Sequence, residues 1–124
     1  MQLRPITGSA IRILRHLHQH EEPHQSGVYI AKAIDISYVL FMRTAEKLRK
    51  EGLLVTRRGR NGGFSLGKPA AEISLYDVYL CMEKELHLGD FLKNETGHPI
   101  GDYMGSLQDG IVQNMLATTI ADLA

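Results

Sequence analysis

The sequence predicts a mainly α-helical fold with one small β-hairpin. Apolar residues recur at helical spacing in several stretches, and one stretch of β-forming residues contains an Asn-Gly turn signal. The 124 residues, 44% of them apolar, suit one domain plus a short appendage. We therefore expect a helical domain over residues 1–85, a linker over residues 86–101 and a last helix over residues 102–124.

A single apolar stripe predicts the first helix, from about Thr7 to His20. Its residues recur at i, i+3, i+4 and i+7, which places them on one face: Ala10, Ile13, Leu14 and Leu17. The polar residues between them fall on the opposite face, namely Arg12, Arg15 and Gln19. One side of this helix is therefore expected to be buried and the other exposed.

Two serines mark the starts of the next two helices. A serine hydroxyl accepts a hydrogen bond from the free amides of a first helical turn, so Ser26 predicts a short second helix through Ile34 and Ser37 a third. The third helix is predicted to end at Gly52 and to bury Phe41, Ala45 and Leu48. Its outward face is predicted to carry Val39, Met42, Arg43, Glu46 and Lys50.

The hairpin follows at once. The β-rich runs are residues 53–57 and 64–66, and they flank a glycine-rich segment whose predicted tip is Asn61-Gly62. Further along, Ser74 and Asp77 have the spacing of a capping box and predict a fourth helix ending near Glu85. Residues 86–101, with three glycines and a proline, are predicted to be a linker.

A last helix is predicted from apolar residues at i, i+3, i+7 and i+11: Met104, Leu107, Ile111 and Met115. Gly105 and Gly110 lower its intrinsic stability by roughly 1 kcal/mol each relative to alanine, so it needs packing to hold. One helix cannot bury this stripe by itself. A symmetric partner chain is the simplest cover, and we expect a homodimer.

Three helices followed by a hairpin are the pattern of a winged helix-turn-helix, so residues 1–85 are predicted to be a DNA-binding domain. Residues 1–68 hold twelve of the fourteen Lys and Arg residues but only five of the fourteen Asp and Glu residues. That basic half favours double-stranded DNA as a partner. The predicted DNA contacts are Ser37, Tyr38, Val39, Met42, Arg43, Lys47, Arg57, Arg58, Arg60 and Asn61.

A second interpretation stays open at this point. Tyr38, Val39 and Met42 are apolar for a base-reading surface, and they suit either thymine methyl groups or another protein. The alternative function is therefore a winged-helix protein–protein interaction module with no DNA readout. Three arginines beside the hairpin turn favour DNA. No nucleophile and base pair, phosphate loop or paired catalytic carboxylates are recognisable, so no catalytic residue and no enzyme activity are predicted.

Several motifs closely resemble the Rrf2 family of bacterial transcriptional regulators. The resemblance runs from about Thr7 to Glu83, is weaker near the end, and is carried by Ile36-Ser37 leading into Leu40-Phe41, Leu48-Arg49-Lys50-Glu51-Gly52-Leu53-Leu54, Arg58-Gly59-Arg60-Asn61-Gly62-Gly63-Phe64-Ser65-Leu66 and Ile73-Ser74-Leu75-Tyr76-Asp77-Val78. It implies a sequence-specific repressor or activator, dimeric through a C-terminal dimerisation helix over residues 102–124. An unidentified effector or protein partner is a further expectation.

The chain departs from cluster-bearing members of that family. Those members resemble one another in three cysteines before the dimer helix, whereas this chain has only Cys81, which lies before the linker. No iron–sulfur cluster, other cofactor or metal is therefore expected, and Cys81 is interpreted as a packed apolar side chain. His16 and His20 are interpreted as surface residues rather than metal ligands, and a site from His87, Asp90, Glu95 and His98 has no defensible spacing.

The expected compartment is the bacterial cytoplasm. A lone cysteine cannot form an intramolecular disulfide, which suits a reducing environment. No signal-peptide pattern and no apolar run of membrane-spanning length are recognisable in the sequence. We therefore expect no membrane partner.

Overall fold

A computed structural model describes residues 5–20, 24–83 and 99–123, with side chains from residue 102 onward in the last range. Within these ranges the chain forms five α-helices and one two-stranded antiparallel sheet. Their bounds are α1 Pro5–Gln19, α2 Gly27–Ala33, α3 Tyr38–Lys50, β1 Leu54–Arg57, β2 Gly63–Leu66, α4 Leu75–Glu83 and α5 Pro99–Ala117. Short 3-10 turns cover Ala70–Glu72 and Ala121–Leu123. The predicted class, mainly helical with a small hairpin, is confirmed.

The helix-turn-helix consists of α2 and α3, and both predicted serine caps are present. The hydroxyl of Ser26 accepts a hydrogen bond from the amide of Tyr29 at 3.2 Å, and that of Ser37 accepts one from Leu40 at 3.1 Å. Gly52 follows α3 with φ +75°, the left-handed conformation that a glycine reaches at little cost. The local signals therefore set both ends of α3.

The wing, which we define as residues 54–66, is the predicted hairpin with its turn moved by one residue. Leu54 pairs with Leu66 at the base, and Arg57 pairs with Gly63 beside the turn. The amide of Gly62 donates to the carbonyl of Gly59 at 3.0 Å, so Arg60 and Asn61 occupy the centre of the turn. The prediction that Asn61-Gly62 forms the tip is wrong. A Cβ at Gly62 would collide with the carbonyl of Arg57, and close backbone approach therefore explains this glycine.

One core joins helices α1 to α4, β1 and the segment that follows α5. Its fully buried apolar side chains include Ile13, Leu14, Ile30, Phe41, Leu48, Leu54, Ile73, Val78, Met82 and Ile120. The stripe predicted on the first helix is buried, while Arg12, Arg15 and Gln19 are exposed as expected. The core thus fixes α3 with one face inward and the other facing solvent.

The predicted capping box at the start of α4 is confirmed. The amide of Asp77 donates to the hydroxyl of Ser74 at 3.0 Å, and the amide of Ser74 donates to the Asp77 carboxylate at 3.0 Å. The predicted linker lies outside the described residues from 86 to 98, and α5 begins at Pro99, before the expected residue 102. Proline suits a first helical turn because it lacks an amide that would be left unpaired there.

The C-terminal helix does not extend to residue 124 as predicted. It ends at Ala117, and the chain then pairs with the segment before α4. The amide of Leu75 donates to the carbonyl of Thr118 at 2.8 Å, and that of Ile120 donates to Ile73 at 2.9 Å. The side chain of Ile120 is completely buried in the core. After Ala117, these hydrogen bonds to the segment before α4 take the place of further hydrogen bonds within the helix.

No helix in the described ranges is long and apolar enough to cross a membrane.

Candidate nucleic-acid interface

The first two turns of α3 present an apolar surface to solvent. Val39 is 70% exposed, Tyr38 is half exposed, and Met42 is also exposed. The ring of Tyr38 stacks on that of the buried Phe41, with centroids 6.3 Å apart. The core therefore holds this surface on a rigid helix, although it gives the exposed tips no apolar cover in the described part of the chain.

Cationic and acidic side chains follow along the same helix. Arg43 is exposed and Lys47 is half-buried. Glu46 is committed to a neighbour, because the Arg49 guanidinium donates to its two carboxylate oxygens at 3.0 and 2.7 Å. These hydrogen bonds lower the pKa of Glu46 and raise the pKa of Arg49. Glu46, the acidic residue of α3, is therefore paired with Arg49. Arg43 has no carboxylate partner on the exposed face of this helix.

The wing carries exposed arginines at its end. Arg57 closes β1, and Arg58 and Arg60 lie in the following loop with Asn61. All four side chains are exposed, so the three guanidinium groups at this end of the hairpin are accessible to solvent. Guanidinium groups in that arrangement suit phosphate oxygens, which they bind through paired hydrogen bonds.

The wing is fastened to both helices of the helix-turn-helix. The ring of Phe64 on β2 meets that of Phe41 on α3 edge to face, with centroids 5.1 Å apart. Gln25, just before α2, pairs with Phe64 through two backbone hydrogen bonds of 3.1 and 2.7 Å. Gly63 allows this approach, because a Cβ there would collide with the backbone of Gln25. The wing and α3 therefore have a fixed relative position.

The ten residues predicted to bind DNA lie at the start and along the outward face of α3 and in the wing. Nine are exposed, and Lys47 is half-buried. Ser37 also serves as the cap of α3, so its oxygen already accepts a hydrogen bond. Sequence reasoning missed Val28 and Tyr29, each half exposed in the first turn of α2. The cap at Ser26 located that turn, but the short helix has too few residues for periodicity to show which face is exposed.

The histidine prediction needs a correction. His16 is buried, at 7% exposure, and is not a surface residue. A ring nitrogen of His16 lies 2.8 Å from the amide oxygen of Gln25, and its ring centroid is 4.3 Å from that of His20. His16 thus supports the residue that pairs with the wing. The described ranges contain no group of three potential metal-ligating side chains, and residues 87–98 fall outside them.

Cys81 is a half-buried thiol that donates to the backbone carbonyl of Lys47 at 3.3 Å. Burial and, to a smaller extent, the negative charge of Glu51 raise the pKa of the Cys81 thiol to about 11, against an opposing effect of Lys47. Its thiol is therefore protonated near neutral pH, as expected of a packed side chain.

The comparisons with known proteins agree with this architecture. A family model described as Rrf2, iron-dependent transcriptional regulator, matches residues 7–124. Protein aau3 of Rhizobium meliloti is 33% identical over 106 residues, which are 85% of this chain and 69% of that protein. The transcriptional regulator NsrR of Halalkalibacterium halodurans is 31% identical over 116 residues, covering 90% and 80%.

Solved structures show the same fold. CymR, the global cysteine regulator of B. subtilis, has a TM-score of 0.83 and 22% sequence identity, covering 100% of this chain and 96% of that chain. IscR of T. potens has a TM-score of 0.83 and 21% identity, covering 99% and 85%.

The residues of this chain do not fit an iron–sulfur cluster. Such clusters are held mainly by several thiolates, and the sequence contains one cysteine. The raised pKa of Cys81 keeps even that thiol protonated near neutral pH. The family description names iron dependence, but this sequence lacks the set of cysteine thiolates that would hold an iron–sulfur cluster.

Proposed function

The chain belongs to the Rrf2 family of DNA-binding transcriptional regulators, and we propose that it binds a specific operator as a homodimer. In this proposal α3 enters the major groove, and the wing lies on the neighbouring backbone or in the minor groove. The family consists of regulators rather than enzymes, in agreement with the expected absence of a catalytic site. The alternative interaction module without DNA readout is not favoured by this membership.

The rigid combination of α3 and wing carries the proposal. A helix fits the major groove when one face is free along its first turns, and α3 exposes Val39, Met42 and Arg43 there. The Phe41–Phe64 contact holds the wing beside this helix. Because the two elements are fixed relative to each other, they can engage one duplex together without first being ordered.

The wing supplies the affinity that does not depend on sequence. Arg57, Arg58 and Arg60 are exposed, so each can displace a counterion from a phosphate. Arg60 lies at the centre of the turn, and Arg57 and Arg58 precede it, so all three side chains lie at one end of the hairpin. We assign these three residues to the backbone or minor groove, and Arg43 to a base in the major groove.

The proposed dimer interface lies on α5. Leu107 is 41% exposed, and Met104, Ile111 and Met115 are half-buried. Three of these four residues line an open groove of about 390 Å³, together with Ser106, Gly110 and Asn114. A Cβ at Gly110 would meet nothing within 4 Å. A second α5 can therefore approach closely at this position, as small residues allow, and bury the apolar side chains.

Selection of bound fragments from random duplex DNA, followed by sequencing, tests the proposal. Two recognition helices related by a twofold axis should recover an inverted repeat, with half-site centres about one helical turn, or a multiple of it, apart. Recovered fragments without a shared motif would contradict specific operator binding. A motif without inverted symmetry would contradict the dimeric arrangement.

A further inference from the structure

We infer that α3 recognises thymine through its methyl group, with Val39 and Met42 as the contacting side chains. This inference rests on the proposed placement of α3 in the major groove. It gives a role to an apolar surface that the sequence alone leaves open between DNA and a protein partner. This surface then selects thymine over the other bases.

The outward face of α3 has a simple composition. Val39, Met42, Arg43 and Glu46 follow one another at i, i+3, i+4 and i+7, so they share one side of the helix, and all four are exposed. Glu46 is held by two hydrogen bonds from Arg49. Among these four side chains, those left to face a base are therefore two apolar groups and one guanidinium.

The side chains on this face offer few hydrogen bonds through which bases could be read directly. Adenine is read in the major groove by asparagine or glutamine, and cytosine by a carboxylate. The helix Tyr38–Lys50 contains no Asn, Gln or Asp, and its carboxylate is paired. Arg43 is suited to guanine. An A·T pair can then be recognised by these side chains through the thymine methyl group, the apolar feature of the major groove.

The spacing of the two apolar residues suits stacked base pairs. Met42 follows Val39 by three positions, a rise of about 4.5 Å along a helix axis. Base pairs are separated by about 3.4 Å along the duplex. The two side chains can therefore meet methyl groups on neighbouring or next-neighbouring pairs, with Arg43 beside them.

Charge distinguishes DNA from a protein partner as the occupant of this surface. The apolar residues are flanked by Arg43 and Lys47 on the same helix and by the three arginines of the adjoining wing. The first turn of α3 contains no acidic residue. A polyanion that presents methyl groups in a groove matches this combination, and duplex DNA has both features.

The experiment uses the operator recovered by selection. Each thymine is replaced in turn by deoxyuridine, which pairs identically but lacks the methyl group. Affinities are measured for the wild type, V39A, M42A and the control L80A, which removes methyl groups from an exposed leucine on α4, outside α3 and the wing. The loss of a buried methyl corresponds to about a fourfold loss of affinity. We expect that loss at one or more thymines in each half-site for the wild type and L80A.

The alanine variants connect each methyl group to a side chain. At a thymine contacted by Val39, V39A should bind the thymine and deoxyuridine sites equally well, and M42A should do so at its own position. Thermal unfolding of both variants should match the wild type, because the deleted atoms are exposed.

The inference is overturned if deoxyuridine leaves the affinity of the wild type unchanged at every thymine. Operator binding would still stand in that case. Full methyl sensitivity retained in V39A and M42A overturns the assignment to these residues. Failure to recover any operator contradicts the proposed function itself.

Discussion

Gly27 at the start of α2 lies directly against the ring of Phe41 in α3. A Cβ built on Gly27 would be 2.7 Å from Cε1 of Phe41 and 3.2 Å from the ring of Phe64 in the wing. The glycine therefore provides the space in which helix-turn-helix and wing meet. The packing of α2, α3 and the wing therefore depends on the absence of one side-chain atom.

Replacing Gly27 with alanine should destabilise the protein. The added methyl group must displace two packed rings, and overpacking of this kind costs about 1–3 kcal/mol. Chemical denaturation measures the change in the free energy of unfolding. The matched control is Gly8→Ala in α1, where a Cβ meets nothing within 4 Å and helix propensity favours alanine by about 1 kcal/mol. A Gly27→Ala protein as stable as the wild type would show that the ring pair is loosely packed.

The local features of this fold were predictable because short-range chemistry determines them. Ser26, Ser37 and Ser74 each accept hydrogen bonds from amides within three residues along the chain, so the sequence around each cap contains the whole interaction. The burial of the α1 stripe follows equally from its period. The exposed outer face of α3 and the place of the hairpin along the chain were predictable in the same way, from local patterns.

The contacts that complete the site could not be predicted in this way. Gln25 pairs with Phe64 across nearly forty residues, and Ile120 pairs with Ile73 across nearly fifty, so no local signal announces either contact. Gly62 led to the wrong prediction of the turn position because its role also depends on a contact with another part of the chain. It is needed for close approach to the Arg57 carbonyl, whereas its sequence context matched a turn centre.

Removing a wing arginine should lower the salt dependence of DNA binding. Each phosphate contact releases counterions, so the affinity of the wild type should fall steeply with salt, and Arg58→Ala or Arg60→Ala should each reduce the logarithmic slope by about 1. Fluorescence anisotropy across a salt series measures the slope. Arg15→Ala, which removes an exposed arginine from α1, is the control and should leave the slope unchanged. Equal slopes for all variants would remove the wing from the interface.

Arg43→Ala should change which sequence is preferred. A guanidinium donates two hydrogen bonds to guanine, and its loss costs about 1–3 kcal/mol of discrimination at that base pair. Repeating the selection with the variant measures this change. Arg43→Lys is the matched comparison, since it keeps the positive charge but not the planar fork of donors; it should keep the sequence-independent electrostatic part of the affinity while weakening the preference. An unaltered selected motif in both variants would exclude Arg43 from base reading.

Cys81 should react slowly with iodoacetamide in the folded protein. The thiolate is the reactive form, and a pKa raised from 9.0 to about 11 lowers its fraction near pH 7.5 by about a hundredfold. The rate should rise about tenfold per pH unit and level off near pH 11, because deprotonation follows the raised pKa. Mass spectrometry follows the labelling, and the urea-unfolded chain is the control. Fast labelling of the native protein at neutral pH would contradict the packed, protonated thiol.

Leu107→Asp should dissociate the proposed dimer. Leu107 is 41% exposed in one chain, so a monomer can keep the aspartate in water, whereas a paired α5 would bury an unpartnered charge at the centre of the interface. Sedimentation at micromolar concentration should show a wild-type dimer and a Leu107→Asp monomer, with equal helix content by circular dichroism. The control is Gln113→Asp, which adds the same charge at an exposed polar position of α5 and should remain dimeric. A wild-type monomer, or a Leu107→Asp dimer as tight as the wild type, would show that this face of α5 is not the interface.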